Sequence, residues 1–262
     1  MSLEKKEIVK KTYTEVVTME KSSCCGPTDC CSGSTVDVFH EDYTQLEGYN
    51  ADADYGLGCG IPTDSIGLKE GETVVDLGSG AGNDLFVARA QVGETGRLIG
   101  VDFTPDMVKK AKENVEKLGY DNFEFVLGDI EDLPLEDNIA DVIISNCVLN
   151  LVPDKNKAFD QIHRVLKPGG RFSISDIVVT GPLTDNIRNV AQLYAGCISG
   201  AIKEDDYLEN IRQKGFKDIE VVKRKIYHMA DELLNMHVSK EDIAEFRASG
   251  VDILSITVQA KK

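Results

Sequence analysis

The chain has 262 residues, enough for one large domain or a domain with a cap. Its formal net charge of −16 opposes binding to a nucleic acid duplex or an anionic membrane surface, and Lys and Arg gather only at Lys223-Arg224-Lys225. The apolar runs are too short to span a bilayer, and the opening MSLEKKEIVKK lacks the apolar core of a secretory signal, so a cytoplasmic protein with no nucleic acid or membrane partner is expected.

The first predicted element is a short helix over residues 8–13. Residues 22–34 are rich in Cys, Ser, Gly and Thr and read as a loop, as do residues 43–63 with their closely spaced Gly, Asn, Asp and Pro. Regular alternation begins at residue 73. Strands are predicted over 73–77, 97–101, 123–127, 140–145 and 171–177. Helices are predicted between them over 83–92, 105–118 and 156–166. Thr104 is placed to cap the second of these, with Pro105 at its first position. The tail predicts a helix over 205–214, a strand over 219–225, a helical segment over 231–245 and an edge strand over 254–260. Alternating strands and helices imply a doubly wound, mostly parallel α/β sheet. Residues 1–64 then form a Cys-rich N-terminal extension, residues 65–262 form the main domain, and a small helical cap is inserted at about 180–214.

The turn Asp76-Leu77-Gly78-Ser79-Gly80-Ala81-Gly82 follows a predicted strand and opens a helix. Glycine at alternate positions lets backbone approach a ligand closely. Asp76 stands where a pyrophosphate would be repelled, so a ligand with a cationic end suits the turn better. This run resembles the first motif of the class I S-adenosylmethionine-dependent methyltransferases, over roughly residues 71–177, and the resemblance implies their seven-stranded Rossmann-like sheet. It assigns Asp76, Gly78, Ser79, Gly80 and Gly82 to the methionine moiety of S-adenosylmethionine. Asp102, ending the second strand, would accept from both ribose hydroxyls, beside Phe103. Asp129 would meet the adenine amino group, with Ile130 on one ring face and Met107 on the other. Asn146, ending the fourth strand, would line the methionine side.

The methyl acceptor is less directly marked. Of the four histidines, none falls at a predicted strand end, so an acceptor needing no general base is favoured. Seven cysteines remain, and in a reducing compartment they are core residues, metal ligands or nucleophiles. Cys147 directly follows Asn146, where a side chain should face the methyl group. Cys59 and Cys197 are flanked by small residues. Thiolates select soft ions, and trivalent arsenic bound by sulfur keeps a lone pair that can attack a methyl carbon.

Gly56-Leu57-Gly58-Cys59-Gly60, Val101-Asp102-Phe103-Thr104-Pro105-Asp106-Met107, Ser145-Asn146-Cys147-Val148-Leu149-Asn150-Leu151 and Cys197 with Gly200-Ala201 together resemble the arsenite methyltransferases. The resemblance implies that Cys147 and Cys197 hold As(III), with Cys59 as a further arsenic or redox thiol. It implies that a disulfide between Cys59 and an N-terminal cysteine, drawn from Cys24, Cys25, Cys30 and Cys31, forms as a pentavalent product is reduced, and that a thioredoxin- or glutathione-type reductant reopens it. The two N-terminal pairs are also open to zinc or to no role at all. Arsenite or its thiol conjugates would be the substrate. Transfer to another small molecule, such as a quinone precursor, is the alternative acceptor.

Overall fold

The computed structural model describes residues 2–18, 40–188, 200–227, 234–235 and 238–262. Cys24, Cys25, Cys30, Cys31, Cys197, His228 and His237 lie outside the described residues, as do residues 189–199 of the expected cap and residues 231–233 and 236–237 of the expected helical segment.

Helix α1 (Ser2–Thr18) is far longer than the predicted turn and a half, and its Lys6, Val9 and Tyr13 fall on one face at helical spacing. The main domain follows as β1 (Thr73–Leu77), α2 (Asn83–Val92), β2 (Arg97–Asp102), α3 (Pro105–Leu118), β3 (Phe123–Leu127), β4 (Ala140–Asn146), α4 (Lys155–Val165) and β5 (Leu166–Val179). Then come α5 (Asp185–Arg188), α6 (Glu204–Gln213), β6 (Lys217–Tyr227), α7 (Lys240–Ala248) and β7 (Ile253–Lys261).

One seven-stranded sheet has the order β3-β2-β1-β4-β5-β7-β6. Strands β1 to β5 pair in parallel, and β7 runs antiparallel to both β5 and β6. Helices cover both faces, as the doubly wound reading requires. Phe159 and Ile162 of α4 and Tyr207 of α6 pack with Ile143, Phe172 and Ile256 on one side. Leu85 of α2 and Val108 and Ala111 of α3 pack with Val74, Leu98 and Val142 on the other. Among the described residues, no helix is long and apolar enough to cross a membrane.

Two expectations need correction. Strand β7 is not the edge of the sheet: it lies inside, and β6 is the edge. The apolar–polar alternation of β7 misleads because its polar members, Ser255 and Thr257, are themselves buried. Strand β5 begins at Leu166 rather than after Gly170, because the Pro168-Gly169-Gly170 turn is taken up as an irregularity in its pairing with β4.

Sheet order reverses between β1 and β4. Ligands bind at such a switch point, beyond the carboxyl ends of the strands. The turn after β1, Asp102 at the end of β2, and Asn146 and Cys147 at the end of β4 all converge there.

Candidate active site

The floor of the cavity at the switch point is the turn between β1 and α2. Gly78 and Ser79 both donate their backbone N–H to the Val101 carbonyl, at 2.7 and 3.1 Å, which pulls the turn against the end of β2. Gly78 has φ +72°, and a β-carbon there would come within 2.4 Å of Val148 Cγ2. Gly78→Ala therefore meets both a left-handed backbone, at about 1–2 kcal/mol, and a clash with the wall of the cavity. It is expected to weaken S-adenosylmethionine binding at least about tenfold, equivalent to 1.4 kcal/mol, as read by calorimetry. Unchanged affinity would show that the turn does not shape the site.

Asp102 spans the turn and the start of α3. Its Oδ2 accepts from Gly80 N at 2.9 Å and its Oδ1 accepts from Thr104 N at 2.8 Å. The Thr104 side chain and the Phe103 N–H also bond this carboxylate, which lies on the cavity wall. Burial pushes its carboxyl above the ordinary carboxylate range, against the pull of those N–H donors. Thr104 occupies the predicted N-cap position of α3 without a side-chain cap bond.

Two more carboxylates lie beneath and beside it. Asp76 is buried, and burial followed by its neighbours Asp84 and Asp102 pushes its carboxyl far up. Asp84, in the first turn of α2, is raised by burial to about 6, even though Tyr43 and Asn146 donate to it. The Tyr43 hydroxyl lies 2.7 Å from Asp84 Oδ1, and Asn146 Nδ2 lies 3.1 Å from Oδ2.

Of the residues expected at the cofactor, the cavity wall brings together Gly78, Ser79, Gly80, Asp102, Phe103, Ile130 and Asn146. Asp76, Gly82 and Met107 do not line it. Met107 is 1% exposed and packs beneath Gly80, so it supports the turn instead of covering a ligand face. Asp129 lies in an adjoining apolar recess with Ile130, where Lys6 Nζ donates to its Oδ2 at 2.6 Å and also pairs with Glu131.

Several lining residues carried no clear sequence signal. Helix α1 supplies Val9 and Tyr13 to the wall. His40 also reaches the cavity, stacked near Tyr43 with ring centroids 6.4 Å apart and its Nε2 3.9 Å from Asp54 Oδ2. No strand-end argument could find His40, because it lies on a loop before the domain.

Cys147 is the first residue after β4. It lines the cavity, is 2% exposed, and has φ +60°, which L-residues adopt sparingly. Its N–H donates to the Ser175 carbonyl at 2.7 Å, which fixes the bend on β5. Such strain gathers at functional sites. Cys59 is also buried, and both sulfurs belong to one apolar cluster with Leu151, Val179 and Ala201. Among the described residues, no group of three His, Cys, Asp or Glu side chains is arranged to hold a metal ion.

The residues fit S-adenosylmethionine. Three buried carboxylates, Asp76, Asp84 and Asp102, meet no Lys or Arg among the described residues lining the cavity. A sulfonium and an ammonium answer that imbalance. Asn83 Oδ1, at the start of α2, is buried without a hydrogen-bond partner and belongs to a residue of the wall. Phe103, Ile130 and Val148 offer apolar faces for a flat ring.

Comparison with known proteins agrees. The family described as "Methyltransferase domain" matches residues 68–215. An arsenite methyltransferase of Halobacterium salinarum is 38% identical over 275 residues, covering 99% of this chain and 67% of the relative. The human arsenite methyltransferase is 37% identical over 157 residues, covering 56% of this chain and 41% of its own length. An arsenic (III) S-adenosylmethionine methyltransferase from Chlamydomonas reinhardtii superposes with a TM-score of 0.67 at 35% identity, covering 78% of this chain and 67% of that one. This chain thus spans about two thirds of the archaeal and algal relatives and less than half of the human one. On these matches, the chain belongs to the arsenite methyltransferase family of S-adenosylmethionine-dependent methyltransferases.

Proposed function

We propose that this chain methylates trivalent arsenic held by its own thiolates. The position of Cys147 carries the reading: it lines the same cavity as the glycine turn and Asp102, and shares its buried cluster with Cys59.

When bound, the cofactor supplies an electrophilic methyl carbon on a sulfonium. The chain's work is to orient and to exclude water. Asp102 would take the ribose hydroxyls, and Gly78, Ser79 and Gly80 would cradle the methionine end, with Asp76 and Gly82 shaping the turn behind them. Asn146 lines that end too. Phe103 and Ile130 would frame the adenine, with Met107 behind the glycine turn, and Asp129 would take its amino group. Lys6 shares Asp129, which ties α1 to the adenine side.

Cys147, Cys197 and Cys59 hold the arsenic. As each As–S bond forms an As–O bond breaks, and the thiol proton leaves with that oxygen as water. The arsenic lone pair is the nucleophile, so no side chain has to remove a proton from it. Cys197 stands four residues before Ala201, a member of the Cys59–Cys147 cluster, and four residues span at most about 14 Å.

Forming the As–C bond leaves arsenic formally pentavalent. Its return to the trivalent state takes two electrons, which two thiols supply by closing a disulfide. Cys59 and one of Cys24, Cys25, Cys30 or Cys31 form that pair, and a thioredoxin- or glutathione-type reductant reopens it. In a cytoplasmic setting the result is detoxification of arsenite.

The test is transfer of labelled methyl from S-adenosylmethionine to arsenite in the presence of a thiol reductant. Labelled methylarsenicals are expected. Their absence from protein shown by calorimetry to bind the cofactor would overturn the reading.

A further inference from the structure

Cys59 lies on a loop beside the cavity, which its neighbour Gly58 lines, and is buried in the same cluster as Cys147. Both of its backbone polar groups are bonded by side chains far away in sequence. Its N–H donates to Asn146 Oδ1 at 3.0 Å, and its carbonyl accepts from Ser255 Oγ at 2.6 Å. Asn146 ends β4, beside Cys147. Ser255 lies in β7, 196 residues from Cys59.

The residues on either side lie close against the sheet. A β-carbon at Gly58 would come within 2.6 Å of Asn146 Nδ2, and one at Gly60 within 2.4 Å of Ser175 Oγ and 3.3 Å of Thr257 Oγ1. The Gly60 carbonyl accepts from Asn146 Nδ2 at 2.8 Å. Ser175 and Thr257 share a hydrogen bond at 2.9 Å, and together with Ser255 they are buried, at 0%, 3% and 5% exposure. Small hydroxyl side chains on β5 and β7 thus make a seat for residues 58–60, and only glycine beside Cys59 lets the loop sit on it.

We propose that Ser255 and Asn146 are positioning residues that clamp Cys59 and hold it with Cys147 as a ready-made dithiol. Ser255 does not line the cofactor cavity; it acts through the Cys59 backbone. Fixing a binding group in advance removes part of the ordering cost of binding. The inference rests on the proposed thiol capture of arsenic, but its test does not require turnover.

The probe is phenylarsine oxide, a trivalent arsenical that takes two thiols. Two As–S bonds form, the As–O bonds break, and both thiol protons leave as one water. The protein is the full chain with Cys24, Cys25, Cys30, Cys31 and Cys197 replaced by Ser, so that Cys59 and Cys147 alone remain. It is expected to take one arsenical per chain. Adding Ser255→Ala should weaken that binding about tenfold, or 1.4 kcal/mol, while calorimetry shows S-adenosylmethionine affinity kept within about twofold, well under 1 kcal/mol. Ser255→Thr, which keeps the hydroxyl, should restore the dithiol. Equal arsenical affinity in Ser255→Ala would overturn the proposal, as would failure of the two-thiol protein to bind. A two-thiol protein that binds as expected, from a parent that transfers no methyl to arsenite, would sink the catalytic reading and leave the clamp standing.

Discussion

Cys147→Ser is expected to reduce arsenite methylation by about a thousandfold or more, the scale seen when a group bonded to the reacting centre is removed. A hydroxyl is a hard and barely ionised donor at neutral pH, so it cannot replace a thiolate toward a soft ion. The substitution keeps the side-chain shape, slightly smaller, and the N–H bond to the Ser175 carbonyl, so the bend after β4 should persist. Cofactor affinity should then change little, and the melting temperature by only a few degrees. That split separates a lost ligand from a damaged fold. If methylation in Cys147→Ser stays within about tenfold of the parent, a barrier change of only 1.4 kcal/mol, arsenic is not held at this sulfur. Cys197→Ser is the companion variant, with the same loss expected.

The second large effect is a reversed pH dependence. The Asp84 carboxyl is raised by burial from 3.8 to about 6, and Asp176, buried in β5 against Tyr207, is raised from 3.8 to about 7. A carboxyl raised in the folded state binds more protons folded than unfolded. Its contribution is fully present below the unfolded value and is lost as pH climbs through the folded value. The ligand-free protein should therefore lose stability from about pH 4 to 7 on account of these groups, by about 3 kcal/mol for Asp84. Denaturant unfolding across that range checks the sign, and Asp84→Asn should remove its share. An identical slope in the variant would show that Asp84 is already ionised in the fold. Cofactor binding should show the opposite trend. A cationic ligand favours the ionised carboxyls, so binding releases protons and strengthens as pH rises from 5 to 7, by up to about tenfold per unit for each proton released. Calorimetry in buffers of different ionisation enthalpy counts those protons.

The legible part of the fold and site is local. Asp76 to Gly82, Asp102 and the Asn146-Cys147 pair each end a strand, and the strand periodicity locates them without any tertiary knowledge. What escaped is what long-range packing creates. Lys6, Val9 and Tyr13 share a helical face, yet nothing in a charged helix says which cavity it will cover. Tyr43 looks like any loop tyrosine until its hydroxyl is found on Asp84. Asp84 reads as an acidic residue in the first turn of a helix, which is favourable for the helix dipole alone. Met107 sits at the expected spacing but turns under the glycine turn, because the space above Gly80 is not where its sulfur lies. Strand β7 shows why alternation fails as a signal of exposure. Ser255 and Thr257 mark a polar face, but that face is roofed by the loop at residues 58–60.

That roof has a consequence for biosynthesis. Cys59 and Asn146 are made well before Ser255, which belongs to β7, the strand that completes the interior of the sheet between β5 and β6. Contacts separated so widely along the chain form late and slowly. On the ribosome, a nascent chain that already displays Cys59 and Cys147 still lacks the strand that secures the first of them. The finished pair is assembled only when β7 inserts.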